Sequence, residues 1–340
     1  MIWTSWRQQR SVVVAMAAIA AGFMAYLVFT GIHEQGLWHL FLAKPCSGDF
    51  APLAQYQNYC GLLLHKVFNA GQFNRFTEIA GLALGPLFGS ILGVSAVARE
   101  VERGTTRLAW TQSFSRSQWL MSKYIVNIGI LSAIFAPMCF LLAWWIGAAH
   151  YSARIAPSGF PIAGFLPLLY SIVAFTLVVT LGLFIRRAGW TLAAGLVMAV
   201  LVMITVEVRV RPLLVTPDFV VVSSVQITQG SSSGFYSSGG PPSNSWGRGF
   251  GLIPRGTKKT PSTATLTVST NKMNQCMTPA RSGSPTGYEY CLKHLDLEYI
   301  GLFVPNSDFW YLQSLEGSIY FGFALLLTGV SFATVRQMRA

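Results

Sequence analysis

Charge is what this sequence has least of. Only 11% of its 340 residues are Asp, Glu, Lys or Arg, and just 12 are acidic. A soluble domain carries about 25% charged residues, so a water-exposed surface of the ordinary kind is excluded. Motifs for chemistry are missing as well. A phosphate-binding loop needs Gly-x-x-x-x-Gly-Lys-Ser/Thr after a strand. The nearest string, Gly251-Leu-Ile-Pro-Arg-Gly256-Thr257, has Thr257 where the lysine belongs, so ATP hydrolysis by that route is excluded and no nucleotide or other cofactor is expected on this chain. No His-Glu-x-x-His helix and no Gly-x-Ser-x-Gly nucleophile elbow at a strand-to-helix turn is recognised. The five histidines, His33, His39, His65, His150 and His294, are scattered, as surface or interfacial residues are, and no metal site is expected.

What is present is apolar. Hydrophobic residues make up 52% of the chain and mean hydropathy is +0.48. A membrane-crossing helix needs about 20 mostly apolar residues, and six runs meet that length: about Val12–Ile32, Ile79–Ala98, Tyr124–Ala149, Phe165–Ile185, Trp190–Val208 and Gly317–Val335. Their interiors hold no Asp, Glu, Lys or Arg apart from the edge residue Glu207. One arginine at mid-bilayer would cost roughly 2.5–3.5 kcal/mol. The first run follows Arg7 and Arg10 but is longer than a signal-peptide core of about 7–15 residues, which predicts a retained anchor. The fold class is thus an all-α membrane protein of six transmembrane helices. Pro86, Pro137 and Pro167 fall within the runs. Gly81, Gly85 and Gly89 recur every four residues in the second, a small-residue face that suits either a helix contact inside the chain or a dimer seam.

The positive charges orient the spans. Eleven Lys and Arg flank one side: Arg7, Arg10, Arg99, Arg103, Arg107, Arg116, Lys123, Arg186, Arg187, Arg336 and Arg339. Four lie in the opposite short loops: Lys44, Lys66, Arg75 and Arg154. The long stretch 209–315 is discounted, because long loops cross largely regardless of charge. Both termini are therefore expected in the cytoplasm, in a multi-pass cell-membrane protein. The net charge of +12 reads as membrane-flanking charge, not as a nucleic-acid footprint.

This orientation divides the chain into spans 1–5 (residues 1–208), an extracellular segment (209–315) and span 6 with its tail (316–340). Cys139 sits inside a span. Cys46, Cys60, Cys276 and Cys291 fall outside, where disulfides persist. Four cysteines allow three pairings. Local pairs would each close a loop of about 15 residues, worth about 3 kcal/mol in the chain-entropy model. In 209–315, Phe219–Thr228 and Thr263–Ser269 alternate like short strands, which predicts a small strand-containing cap. Residues 230–256, rich in Gly, Ser and Pro, read as a flexible insert.

The cytoplasmic loop Arg99–Lys123 is the most patterned stretch. Val101, Thr105 and Leu108 share one helical face, and Ser115 with Gln118 fits a capping box, which predicts a short surface helix over 99–112 and a new helix starting near Ser115. Such a helix can lie on the membrane surface or seat in a groove of a cytoplasmic partner. The string Ala98-Arg-Glu-Val-Glu-Arg-Gly-Thr-Thr-Arg-Leu-Ala-Trp-Thr-Gln-Ser, with Arg116 and Lys123 beyond it, resembles the span 2–3 loop of ABC-2 type transporter permeases, in a subfamily frequent in actinobacteria and related bacteria. Trp3-Thr-Ser-Trp-Arg-Gln8 and Phe309-Trp-Tyr-Leu-Gln-Ser-Leu-Glu316 resemble that subfamily's lead-in and its entry into span 6. The resemblance implies a permease subunit whose loop helix contacts an ATP-binding subunit through Glu100, Glu102, Arg103, Gly104, Thr105 and Leu108. It further implies two copies of that ATPase, which bind ATP and Mg, and a second permease copy. On family grounds the direction is export, of a lipophilic or peptide-like compound.

Three charges stand at the outer ends of spans 5 and 6: Glu207, Arg209 and Glu316. They read either as edge charges reaching the headgroups or as a network gating the outer mouth. The rival reading of the whole chain is a membrane sensor or assembly protein that uses the cap as a binding module. A membrane-embedded enzyme is disfavoured by the lack of intramembrane acid, His or Cys clusters.

Overall fold

Each of the six apolar runs is a helix, as it must be where lipid offers no partner for backbone N–H and C=O groups. The computed structural model describes residues 2–42, 54–104, 115–148, 154–221, 224–227, 235–238, 242, 244–256, 294 and 296–337. The helices are α1 (Ile2–Leu42), α2 (Ala54–Gly93), α3 (Arg116–Ala148), α4 (Leu166–Ile185), α5 (Ala188–Thr205) and α6 (Phe309–Gln337). All six are long and apolar enough to cross a membrane. α1 and α2, at 41 and 40 residues, are each about 60 Å long, well beyond the hydrocarbon layer of about 30 Å.

Two helices carry on past a π-helical turn. α2 runs through Val94–Ala98 into Arg99–Glu102, and α5 runs through Val206–Val210 into Arg211–Leu214. In each, a backbone N–H reaches back five residues, Arg99 to Val94 and Arg211 to Val206. The extra residue rotates the next helical turn by about 100° about the helix axis. Of the three prolines, Pro86 and Pro137 lie inside α2 and α3. Pro167 instead stands in the first turn of α4, where its missing N–H costs nothing.

α4 is the centre of the bundle and the most buried of the spans. Its closest neighbour is α2, and the glycine stripe is what lets them meet. A Cβ on Gly85 would stand 2.9 Å from the Pro167 carbonyl oxygen, and one on Gly89 would overlap the Ser171 carbonyl. Gly85 and Gly89 of the stripe are therefore used inside the chain, against α4. Hydroxyl groups add polar ties: Thr180 Oγ1 lies 2.8 Å from Ser331 Oγ, and the Tyr124 hydroxyl donates to Ser331 Oγ at 3.3 Å. α1 docks on α3 through the Trp145 indole N–H, which donates to Thr30 Oγ1 at 3.0 Å.

The chain divides into two compact units, Met1–Leu214 with Trp310–Ala340, and Val215–Phe309. The second unit contains a three-stranded antiparallel sheet in the order β1 (Asp218–Val221), β5 (Leu297–Val304), β4 (Trp246–Pro254), and a separate antiparallel pair, β2 (Ser224–Ile227) with β3 (Phe235–Ser238). Val220 faces Gly301 in the first pairing, and Gly251 faces Ile300 in the second. Ile253, Ile300 and Leu302 form its buried core, with Phe219 against them. Two expectations are corrected here. The strand read over Phe219–Thr228 is split between two sheets, and the 230–256 insert carries β3 and β4. The glycines that made β4 look like a loop include Gly249, at φ +129, where the register shifts by one residue. The strand expected at Thr263–Ser269 lies outside the described residues.

Candidate functional site

The loop after α2 begins at a built junction. Glu100, in the last turn of the extended α2, pairs with Lys123 of α3 at 2.5 Å, and Lys123 is only 3% exposed. Glu102 accepts a hydrogen bond from the backbone N–H of Ala188, the first residue of α5, at 3.2 Å. A carboxylate suits that place because a helix start carries unpaired N–H groups and a partial positive charge. The α4–α5 connection is only two residues long, with Arg186 at φ +56 closing α4. Ser115 and Gln118 form the reciprocal capping box at the start of α3: the Gln118 N–H donates to Ser115 Oγ, and the Ser115 N–H donates to Gln118 Oε1, both at 3.2 Å.

These contacts change the reading of the loop residues. Arg99–Glu102 is the end of the second span and not the start of a separate surface helix. The chain leaves it at Gly104, whose φ of +70 is strained for any residue with a Cβ. Glu100 turns to Lys123 of α3, while Glu102, itself exposed, reaches the start of α5. Arg103 and Gly104 are exposed at the exit. Thr105 and Leu108 lie outside the described residues.

The opposite end of the bundle carries a second cluster. Arg211, 1% exposed, forms a two-pronged pair with Glu316, 0% exposed, at 2.8 Å from Nε and 3.1 Å from Nη2. Its Nη1 lies 3.5 Å from Glu207, and its guanidinium stacks 4.6 Å from the Phe160 ring centroid. Sequence reasoning marked Glu207, Arg209 and Glu316. The structure joins Glu207 and Glu316 through Arg211, and leaves Arg209 exposed with no ion pair among the described residues. The available signal was the four-residue spacing from Glu207 to Arg211, one helical turn. Gln313, also fully buried, went unmarked: its Nε2 donates to the Phe160 and Ala163 carbonyls at 3.2 and 3.0 Å.

Cys139 is a buried free thiol. Cys60 is not free, and Cys46, Cys276 and Cys291 lie outside the described residues, so no pairing falls wholly within them. Among the described residues no group of three His, Cys, Asp or Glu side chains is placed to hold a metal ion.

The contacts fix how the ends are sorted. The end of α2 and the starts of α3 and α5 share one face, through Glu100–Lys123 and Glu102–Ala188. The end of α5 and the start of α6 share the other, through Arg211–Glu316. No curated protein and no solved structure matches the chain. The family model that does match is described as ABC-2 membrane transporter related; it covers residues 16–211, from the first span through the Glu100 junction to Arg211, and the chain belongs to that family.

Proposed function

We propose that the chain is the membrane-spanning permease subunit of an ATP-driven exporter whose ATPase is a separate chain. The observation that carries this reading is the junction at the end of α2, where Glu100 and Glu102 tie that helix to α3 and α5. Force applied to the adjoining loop reaches three spans at once. The loop residues, from Arg103 and Gly104 through Thr105 and Leu108, are the ATPase contact. Glu100 and Glu102 pass the displacement inward. ATP and Mg sit on two copies of the partner, and a second copy of this chain completes the pathway. No covalent chemistry is asked of the permease.

The face holding Glu100 and both chain ends is cytoplasmic in this reading, supported by its 11 flanking Lys and Arg. The strand-containing unit is then extracellular, as are Cys46, Cys60, Cys276 and Cys291, paired locally as Cys46–Cys60 and Cys276–Cys291. Mass spectrometry of the unreduced protein is expected to recover those two linked peptides; four free thiols would contradict the external placement. The substrate class, a lipophilic or peptide-like compound, is inferred from spans that present no row of buried charges to select an ion.

The coupling assignment is tested by replacing Arg103 with Glu and Leu108 with Asp together, which leaves the Gly104 turn intact. ATPase recovery with the chain is expected to fall at least tenfold while yield and thermal stability of the permease hold. Undiminished recovery would remove the loop from the contact.

A further inference from the structure

Between α3 and α4 runs a non-helical strap, Ile155–Phe165. Its middle is buried: residues 159–163 all are, and Phe160 and Ile162 are 0% exposed. It is a chain of tight turns, in which the Phe160 N–H donates to the Ala156 carbonyl at 2.8 Å and the Ala163 N–H to the Gly159 carbonyl at 3.0 Å. Irregular backbone is tolerated at membrane depth only where protein or a water-filled cavity covers it. The depth is set by α2. A Cβ on Gly81 would meet Ile162 at 3.0 Å and Leu142 of α3 at 3.7 Å. Gly81 lies about 30 Å along the helix from Glu102, which is the far edge of the hydrocarbon layer.

Three other features hold the strap there. Gln313 of α6 donates both of its hydrogen bonds to strap carbonyls. Gly164, at φ +64, lets the backbone pass that amide, since a Cβ there would stand 2.8 Å from Gln313 Oε1. Arg211 at the end of α5 sets its guanidinium over Phe160, and Glu316 holds that guanidinium through Nε and Nη2. The strap thus touches α2, α6 and the end of α5, which is where a closure of the pathway would sit.

We propose that Ile155–Phe165 is the plug of the outer gate, and that Gln313 and the Arg211–Glu316 pair are its latch. The proposal rests on the permease reading. Opening breaks the two Gln313 hydrogen bonds and lifts Phe160 from the guanidinium. The Arg211–Glu316 pair stays intact, so α5 and α6 remain joined when the strap moves. Gln313, Arg211 and Glu316 are positioning residues: they act on transport through the strap.

The test reads the strap directly, with a membrane-impermeant maleimide on intact cells. The reporter is Ile162→Cys in a Cys139→Ala background. It is expected to stay protected in the otherwise unchanged chain. Adding Gln313→Ala, or separately Glu316→Gln, is expected to raise its labelling rate at least tenfold. Leu27→Cys, buried on α1, monitors general loosening and is expected to stay protected in both variants. The proposal is overturned if Ile162→Cys labels equally fast without the latch substitutions. It is overturned too if the reporter stays protected with them, or becomes exposed only together with Leu27→Cys. Labelling requires no ATPase, so its failure is separate from a failure of ATPase association, which would remove the permease reading itself.

Discussion

A guanidinium at 1% exposure near the end of an apolar bundle holds its place through its partners. Arg211 meets Glu316 with both prongs of its fork and stacks on Phe160, geometry that a lysine cannot reproduce. Breaking a buried pair by removing one partner costs about 3–5 kcal/mol, because the other charge is left uncompensated, whereas replacing both by apolar residues is often neutral. Arg211→Met is therefore expected to lower stability by about that amount, and Arg211→Met with Glu316→Leu to recover most of it, in thermal unfolding of the purified protein in micelles. Two single variants whose losses simply add would show that the pair is not coupled. The Glu100–Lys123 pair obeys the same logic. Glu100→Ala takes the carboxylate away from the buried Lys123 ammonium, so it is expected to destabilise more than Glu100→Ala with Lys123→Met. At this scale the sequence was half legible. Glu207 and Glu316 announced themselves as charges at span ends, but Arg211 did not, because the π-helical turn Val206–Val210 carries α5 beyond the expected end at Val208 and turns Arg211, not Arg209, inward.

Between elements, glycine decides which helices touch. Gly89 faces the backbone of α4 with no room for a Cβ, while Gly129 on α3 has nothing within 4 Å. Overpacking costs typically about 1–3 kcal/mol, and here the obstacle is backbone, which cannot rotate aside. Gly89→Leu is expected to abolish a monodisperse size-exclusion peak or lower Tm sharply. Gly129→Ala is expected to be neutral or to gain up to about 1 kcal/mol from helix propensity. Equal effects at the two sites would contradict the α2–α4 contact. The six helices were legible because length and the absence of charge suffice to specify a span. The capping box at Ser115 was legible because its two hydrogen bonds are local. The strap Ile155–Phe165 was not, since its Pro and Gly residues read as a surface loop, and its burial depends on Gln313, about 150 residues away. β4 was hidden for a related reason: Trp246-Gly-Arg-Gly-Phe-Gly is loop-like in composition, and its pairing with β5 spans a long separation.

For the whole molecule, the two ion-paired clusters lie at opposite ends of the same bundle. One ties α2 to α3 and α5 beside the loop that leaves at Gly104; the other ties α5 to α6. α5 is common to both: Ala188 at its start meets Glu102, and Arg211 beyond its π-helical turn meets Glu316. In the proposed function this bundle is driven by ATP hydrolysed on another chain. The most direct measurement is ATP hydrolysis by the tagged chain purified from its own membrane and placed in lipid nanodiscs. Vanadate-sensitive hydrolysis is expected, tracking a co-purifying polypeptide with a Gly-x-x-x-x-Gly-Lys-Ser/Thr loop. Both are expected to be lost in the Arg103→Glu, Leu108→Asp variant. A folded, monodisperse chain that brings down neither the polypeptide nor the activity would contradict it.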